Sequence, residues 1–191
     1  MNALTVNLKP ILELTDEQFF QLCQANRDLR FERTATGELI IMPPTGGETG
    51  NRNAGLTAQV WIWNEQNKLG KVFDSSTGFK LPNGADRSPD ASWIKLERWN
   101  ALTQKQQTRF LPLCPDFVVE LLSPTDSLRE TQEKMREYRD NGASLGWLIN
   151  RKSRQVEIYR IGKEVEVLES SVSLSGEDIL PGFMLNLEAI W

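Results

Sequence analysis

The chain has 191 residues, 39% hydrophobic and 25% charged, a globular balance that suits one domain with a substantial core. Its net charge of −4 and pI near 5.1 argue against a protein whose main task is coating nucleic acid, although a local basic groove remains compatible with them. The absence of histidine removes the Ser-His-Asp and Cys-His triads, His-ligated zinc and the commonest general base near neutral pH.

Hydrolytic chemistry in such a chain falls to carboxylates, lysine, tyrosine or an oxygen-bound metal, and carboxylates with backbone carbonyls suit Mg²⁺ or Mn²⁺. No apolar run approaches the ~18 residues of a membrane span. The start "MNALTVNLKPILELTDEQFF" lacks a basic segment followed by an apolar one, which points to a cytoplasmic protein. Cys23 and Cys114 are then expected as buried, reduced thiols.

Residues 11 to 26 predict a short helix opening at Thr15, with Gln18 completing a capping box. "LRFERTATGELIIMPP" predicts two strands around a tight turn at Thr36-Gly37, closed by Pro43-Pro44. A long helix follows from about Glu48 to Lys68, ended by Gly70, with Leu56, Val60 and Trp63 on its apolar face. "KVFDSSTGFKLPNG" reads as a hairpin and "SPDASWIKL" as a strand. A helical loop, "ERWNALTQKQQTRF", leads to the strand "PDFVVELL". Ser123-Pro124-Thr125 breaks that strand, and a helix runs from about Ser127 to Asn141, stopped by Gly142. "LGWLIN", "QVEIYR" and "EVEVLE" form a meander, and "EDILPGFMLNLEAIW" closes as an edge segment and a turn. The expected fold class is α/β (α+β), a sheet flanked by helices. Residues 1–191 are one domain in this reading: an N-terminal helix and hairpin extension (1–44), a core (45–160) and C-terminal strands (161–191).

The acids inside "PDFVVELL" need partners, because an unpaired buried carboxylate is costly. Strand alternation puts Asp116, Val118, Glu120 and Leu122 on one face, expected to point toward a cleft. Phe117, Val119 and Leu121 take the other, expected to be the helix-packed core. Four residues of strand span about 13 Å, so Asp116 and Glu120 cannot share one ion. Asp116 is expected as a structural acid, solvated at the strand's mouth. The nearer acid for Glu120 is Asp90 in "SPDASW", at the start of another strand. Together they form a two-carboxylate arrangement for a divalent cation.

A cation near the attacking water or the transition-state charge is also required. At 100° per residue, Leu128, Thr131, Met135 and Tyr138 face the sheet, and Lys134 lies roughly 70° from the centre of that face. From that flank its long side chain reaches back over the sheet edge. Each residue also has a plainer reading. Lys134 follows Glu130 by four residues, the spacing of a surface ion pair. Asp90 suits a turn after Pro89, Glu120 suits a structural ion pair, and Glu48 suits a helix N-terminus. "NRKSRQVEIYR" with Lys163 carries five basic residues against Glu157, and Arg151, Lys152 and Arg154 are its candidates for phosphate contact. A solvated strand edge explains the same charges.

"LPNGADRSPDASWI", "PDFVVELLSPTDSLRETQEKMREYRDNG" and "LGWLINRKSRQVEIYR" resemble the Uma-type family of bacterial restriction endonucleases, within the PD-(D/E)XK nuclease superfamily. The resemblance runs from about residue 15 to 185. It implies a restriction-endonuclease-like core of order α-β-β-β-α-β, a central mixed sheet flanked by helices, and a magnesium site. Asp90 matches the family's Pro-Asp acid and Glu120 the acid of the next strand. The superfamily's lysine usually stands two residues past that acid, where this chain has Leu122, and Lys134 matches the helix lysine that substitutes for it. Glu48 and Tyr138 match accessory positions. The implied function is a Mg²⁺-dependent (or Mn²⁺-dependent) DNA endonuclease. Asp90, Glu120 and the Leu121 carbonyl are its expected metal ligands and DNA its expected partner; two sites in a homodimer suit double-strand cutting, and the lack of a long apolar run predicts no membrane partner. The alternative is an inactive nuclease-fold module that binds nucleic acid or protein.

Overall fold

The computed structural model describes residues 3–191. Its main sheet has six strands in the order β11-β10-β9-β8-β7-β4. These are β4 (Gly70–Asp74), β7 (Ala91–Lys95), β8 (Phe117–Leu121), β9 (Leu145–Asn150), β10 (Gln155–Arg160) and β11 (Glu166–Glu169). β8 and β9 run parallel and every other neighbouring pair is antiparallel, so the sheet is mixed as expected. The parallel pair requires a crossover, supplied by helix α5 (Leu128–Asp140). With α2 (Gly47–Asn67), the succession α2-β4-β7-β8-α5-β9 gives the expected α-β-β-β-α-β core.

A second sheet has the order β1-β3-β2-β6-β5. It joins β1 (Leu4–Val6), β2 (Arg30–Arg33) and β3 (Leu39–Met42) to β5 (Phe79–Lys80) and β6 (Asp86–Arg87). The turn of the expected β2–β3 hairpin uses Gly37 at φ +92°, a conformation that glycine adopts without penalty. β1, β6 and β12 (Ser173–Ser175) were not expected; β12 pairs with β13 (Met184–Asn186). The expected hairpin of "KVFDSSTGFKLPNG" does not form, because the chain changes sheets there: β4 pairs with β7, and β5 with β6. The remaining helices are α1 (Asp16–Ala25), with the Thr15–Gln18 capping box, and the short α3 (Leu96–Asn100) and α4 (Gln104–Gln107).

Both faces of the main sheet are covered. Phe117, Val119 and Leu121 pack with Leu56, Val60 and Trp63 of α2 in one apolar core. Val118 and Leu148 pack with Met135 and Tyr138 of α5 in the other. Glu120 lies on this second face, so the face expected to open on a cleft is roofed by α5 instead. α5 approaches closely because β9 has Gly146 beneath it, where a Cβ would meet Met135 Cε at 2.6 Å.

The end of α2 also departs from expectation. Lys68, at φ 55°, takes the left-handed cap, and Gly70 begins β4. Glycine is required at that point because a Cβ would lie 2.2 Å from the Ile94 carbonyl oxygen. Asn64 ties the junction together, bonding both backbone groups of Gly70 and accepting from Trp93 Nε1 at 2.9 Å.

Candidate active site

In the β7–β8 register Ala91 faces Val119, and Asp90, just before β7, reaches the Glu120–Leu121 end of β8, where its carboxylate accepts the Leu121 N–H. Topology thus brings two acids 30 positions apart to the same end of β8, Asp90 bonded to α2 and Glu120 to α5. Asp90 is fixed from two sides. Its Oδ2 accepts the Leu121 N–H at 2.8 Å, and its Oδ1 accepts Asn53 Nδ2 of α2 at 2.7 Å. Burial raises the pKa of Asp90 from its ordinary value, despite the Leu121 N–H and the Lys134 charge.

Glu120 Oε1 accepts the Tyr138 hydroxyl at 3.1 Å and lies 2.9 Å from Lys134 Nζ. Burial pushes the Glu120 carboxyl up to about 7; Lys134 opposes the shift, and Asp90 and Glu32 add to it. Lys134 does not pair with Glu130. Its ammonium sits between Glu120 and Glu32, and these carboxylates outweigh burial and hold its pKa above the usual lysine value. Burial, then the Glu120 charge, keep the Tyr138 phenol protonated well past its ordinary range.

Three further residues of this cluster have no short motif in the sequence. Glu32 of β2 is buried, and burial alone would raise its pKa. Lys134 and Arg87 prevail and hold it below the usual glutamate value. Arg87 of β6 bonds Glu32 and Glu137, and its pKa stays raised despite burial. The four-residue strand "RFER" carries three charged residues, Arg30, Glu32 and Arg33, and that density is the one signal the sequence offers.

The other predicted residues lie elsewhere. Asp116 stands at the opposite end of β8. It is buried rather than solvated: its carboxylate accepts the Lys95 N–H at 2.9 Å and pairs with Arg98 at 3.0 Å. Glu48 is exposed at the start of α2, paired with Arg52 at 2.8 Å and Arg151 at 2.9 Å, and these arginines lower its pKa. Arg151 is thereby engaged, while Lys152 and Arg154 are exposed in the β9–β10 turn. Arg160, counted with the basic group, is neutralised by Glu166 and Glu177. Both cysteines are free thiols, Cys114 buried and Cys23 half-buried.

A cleft of about 500 Å³ opens beside Asp90, walled by Asn53, Ala54, Trp61, Arg30 and Ser75 among others. Glu120 is not among the residues that wall it. Among the described residues, no cluster of three or more His, Cys, Asp or Glu side chains is arranged to hold a metal ion. The donors nonetheless fit a hard divalent cation on two observations. Three carboxylates (Glu32, Glu120, Glu137) share two cations (Lys134, Arg87), and the buried Asp90 beside them has no ion-pair partner among the described residues. In addition, Asn53 Oδ1 is buried with no hydrogen-bond partner, beside Asp90. Magnesium sites commonly use one or two carboxylates and complete their shell with water and substrate phosphate.

A mixed sheet between two helices, with paired acids where β7 meets β8, defines a nuclease-like α/β protein. The chain belongs to the Uma2 family, described as "Putative restriction endonuclease", whose pattern it matches over residues 16–188. A solved structure described as "a putative nuclease belonging to DUF820", from Anabaena variabilis ATCC 29413, has the same fold. Its TM-score is 0.71 at 18% identity, covering 84% of this chain and 88% of the other. Comparison with curated proteins gives no match. No described helix is long and apolar enough to cross a membrane.

Proposed function

We propose that the protein is a Mg²⁺- or Mn²⁺-dependent DNA endonuclease, with Asp90 and Glu120 as metal-binding acids. The observation that carries this reading is the meeting of two buried acids where β7 meets β8: Asp90 bonded to the Leu121 N–H with the unpartnered Asn53 Oδ1 beside it, and Glu120 with Lys134 2.9 Å away. A divalent cation held there supplies Lewis acidity at the scissile phosphate and makes water more acidic. Asn53 holds Asp90 through its amide N–H and offers its free Oδ1 to the same site. The Leu121 N–H fixes Asp90, and the adjacent Leu121 carbonyl is the proposed backbone ligand.

Tyr138 orients Glu120 through its hydroxyl. Lys134 has three N–H donors, two of them directed at Glu120 and Glu32. The third holds the attacking water and offsets charge building on the phosphate oxygens. The cleft beside Asp90 is the route for the strand, with Trp61 available for base stacking and Arg30 for phosphate. Lys152 and Arg154 supply outer phosphate contacts, and Glu48 is an accessory that fixes Arg151. A two-fold homodimer presents one site to each strand of DNA.

The two ion pairs that occupy Lys134 favour one other reading, a non-catalytic nucleic-acid-binding module. Nicking of supercoiled plasmid with Mg²⁺ or Mn²⁺ separates them. Wild type should cleave, and Asp90→Ala and Glu120→Ala should each lose about a hundredfold or more, the scale of removing one transition-state contact. Equal residual cleavage by all three proteins would overturn the assignment.

A further inference from the structure

We propose that Glu32, on the hairpin strand β2 of the second sheet, is a positioning residue that holds Lys134 in its working place. The proposal rests on the reading of Lys134 as the catalytic cation. A helix-borne lysine has four flexible methylenes and spends considerable rotamer entropy when held in place. A lysine on the same strand as the metal acid would be fixed by that strand. Lys134 instead reaches from α5 and needs a second anchor. Glu32 Oε1 accepts Lys134 Nζ at 2.8 Å, opposite the 2.9 Å contact to Glu120.

Glu32 is itself held on every side. The same Oε1 accepts the Ser88 N–H at 2.9 Å, two residues before Asp90, and Oε2 accepts Arg87 Nη1 at 3.1 Å. Arg87 Nε donates to Glu137 Oε2 at 2.5 Å, and Asn83 Nδ2 donates to Glu137 Oε1 at 2.8 Å. Glu137 stands on α5, three residues past Lys134. The chain Lys134–Glu32–Arg87–Glu137 therefore alternates in charge and closes on the helix where it began. It links α5 to β2 and β6, and it couples the hairpin sheet to chemistry on the main sheet. With two donors directed at fixed carboxylates, the orientation of the third N–H is set.

The test uses the full chain with Glu32→Gln, Glu32→Asp, Lys134→Met and the Glu32→Gln/Lys134→Met double variant. In ¹⁵N-lysine spectra without metal or nucleic acid, wild type should show a slowly exchanging ammonium signal, assigned by its loss in Lys134→Met. That signal should disappear in Glu32→Gln. In plasmid cleavage, Glu32→Gln should lower kcat about tenfold to a hundredfold, the range for a misplaced catalytic group, with KM within twofold of wild type. It should lower kcat no further in the Lys134→Met background. If Glu32→Gln does not fold, Glu32→Asp, which keeps the charge but withdraws it by one methylene, should show the same loss of signal and the same kcat–KM split. An ammonium signal that survives the loss of Glu32, or an equal kcat loss with and without Lys134, overturns the proposal. If wild type does not cleave, the endonuclease reading fails while the ammonium signal still decides the role of Glu32.

Discussion

Replacing Glu120 by glutamine should make the protein more stable and inactive. The folded carboxyl is raised to about 7 from a reference of 4.5, chiefly by burial. At about 1.4 kcal/mol per unit, the difference of about 2.5 units makes ionised Glu120 cost about 3 kcal/mol of folding stability. The sign follows from proton binding. Between pH 4.5 and 7 the native state holds this proton more tightly than the unfolded chain. Stability from this group is therefore greatest below 4.5, falls as pH rises toward 7, and levels off above. Glutamine resembles the protonated form and still accepts from Tyr138 and Lys134. Urea unfolding in EDTA should show Glu120→Gln about 3 kcal/mol more stable than wild type at pH 8, with the curves converging near pH 4.5. Other titrating groups largely cancel in the difference. Added Mg²⁺ should restore stability to wild type alone, by mass action on the folded state. Parallel pH profiles, or a variant less stable at pH 8, would refute the reasoning that burial outweighs the Lys134 ion pair at Glu120.

Two other substitutions probe the neighbouring assignments. Asp116→Asn loses the Arg98 ion pair but can keep the Lys95 N–H bond. It should lower stability by about 1–3 kcal/mol without changing kcat, measured by denaturant unfolding and plasmid nicking; loss of cleavage in a folded variant would make Asp116 part of the site. Trp61→Ala removes a side chain that is 53% exposed in the cleft wall, so the melting temperature should hardly move. KM for plasmid should rise about tenfold with kcat unchanged, in line with base–aromatic stacking of about 1–3 kcal/mol; an unchanged KM would move the DNA path off α2.

Local chemistry made much of the core legible. A charge inside "FVVELL" demands a partner, and strand geometry separates Asp116 from Glu120, which the structure places at opposite ends of β8. Helical arithmetic placed Lys134 on the flank of α5, and the structure seats its ammonium between Glu120 and Glu32. What stayed hidden depends on distant pairing. Glu32 and Arg87 meet because β2 and β6 pair through a single register contact, Arg33 with Asp86, and no local pattern announces so short a pairing. Turn residues after Asp74 signalled a reversal, but whether a reversal closes a hairpin or hands the chain to another sheet is decided by tertiary packing. Alternation sorted the faces of β8 correctly, yet it could not show that α5 covers the face bearing Glu120. Asn53, whose amide completes the surroundings of Asp90, reads from sequence as an ordinary polar residue of a long helix.

Calorimetric titration of Mn²⁺ into wild type and into Asp90→Asn/Glu120→Gln tests the metal site without depending on the choice of nucleic acid. Wild type should bind in the millimolar range or tighter, and binding should fall below detection in the double variant, which should remain folded. No binding by wild type, or equal binding by both proteins, would contradict the metal site.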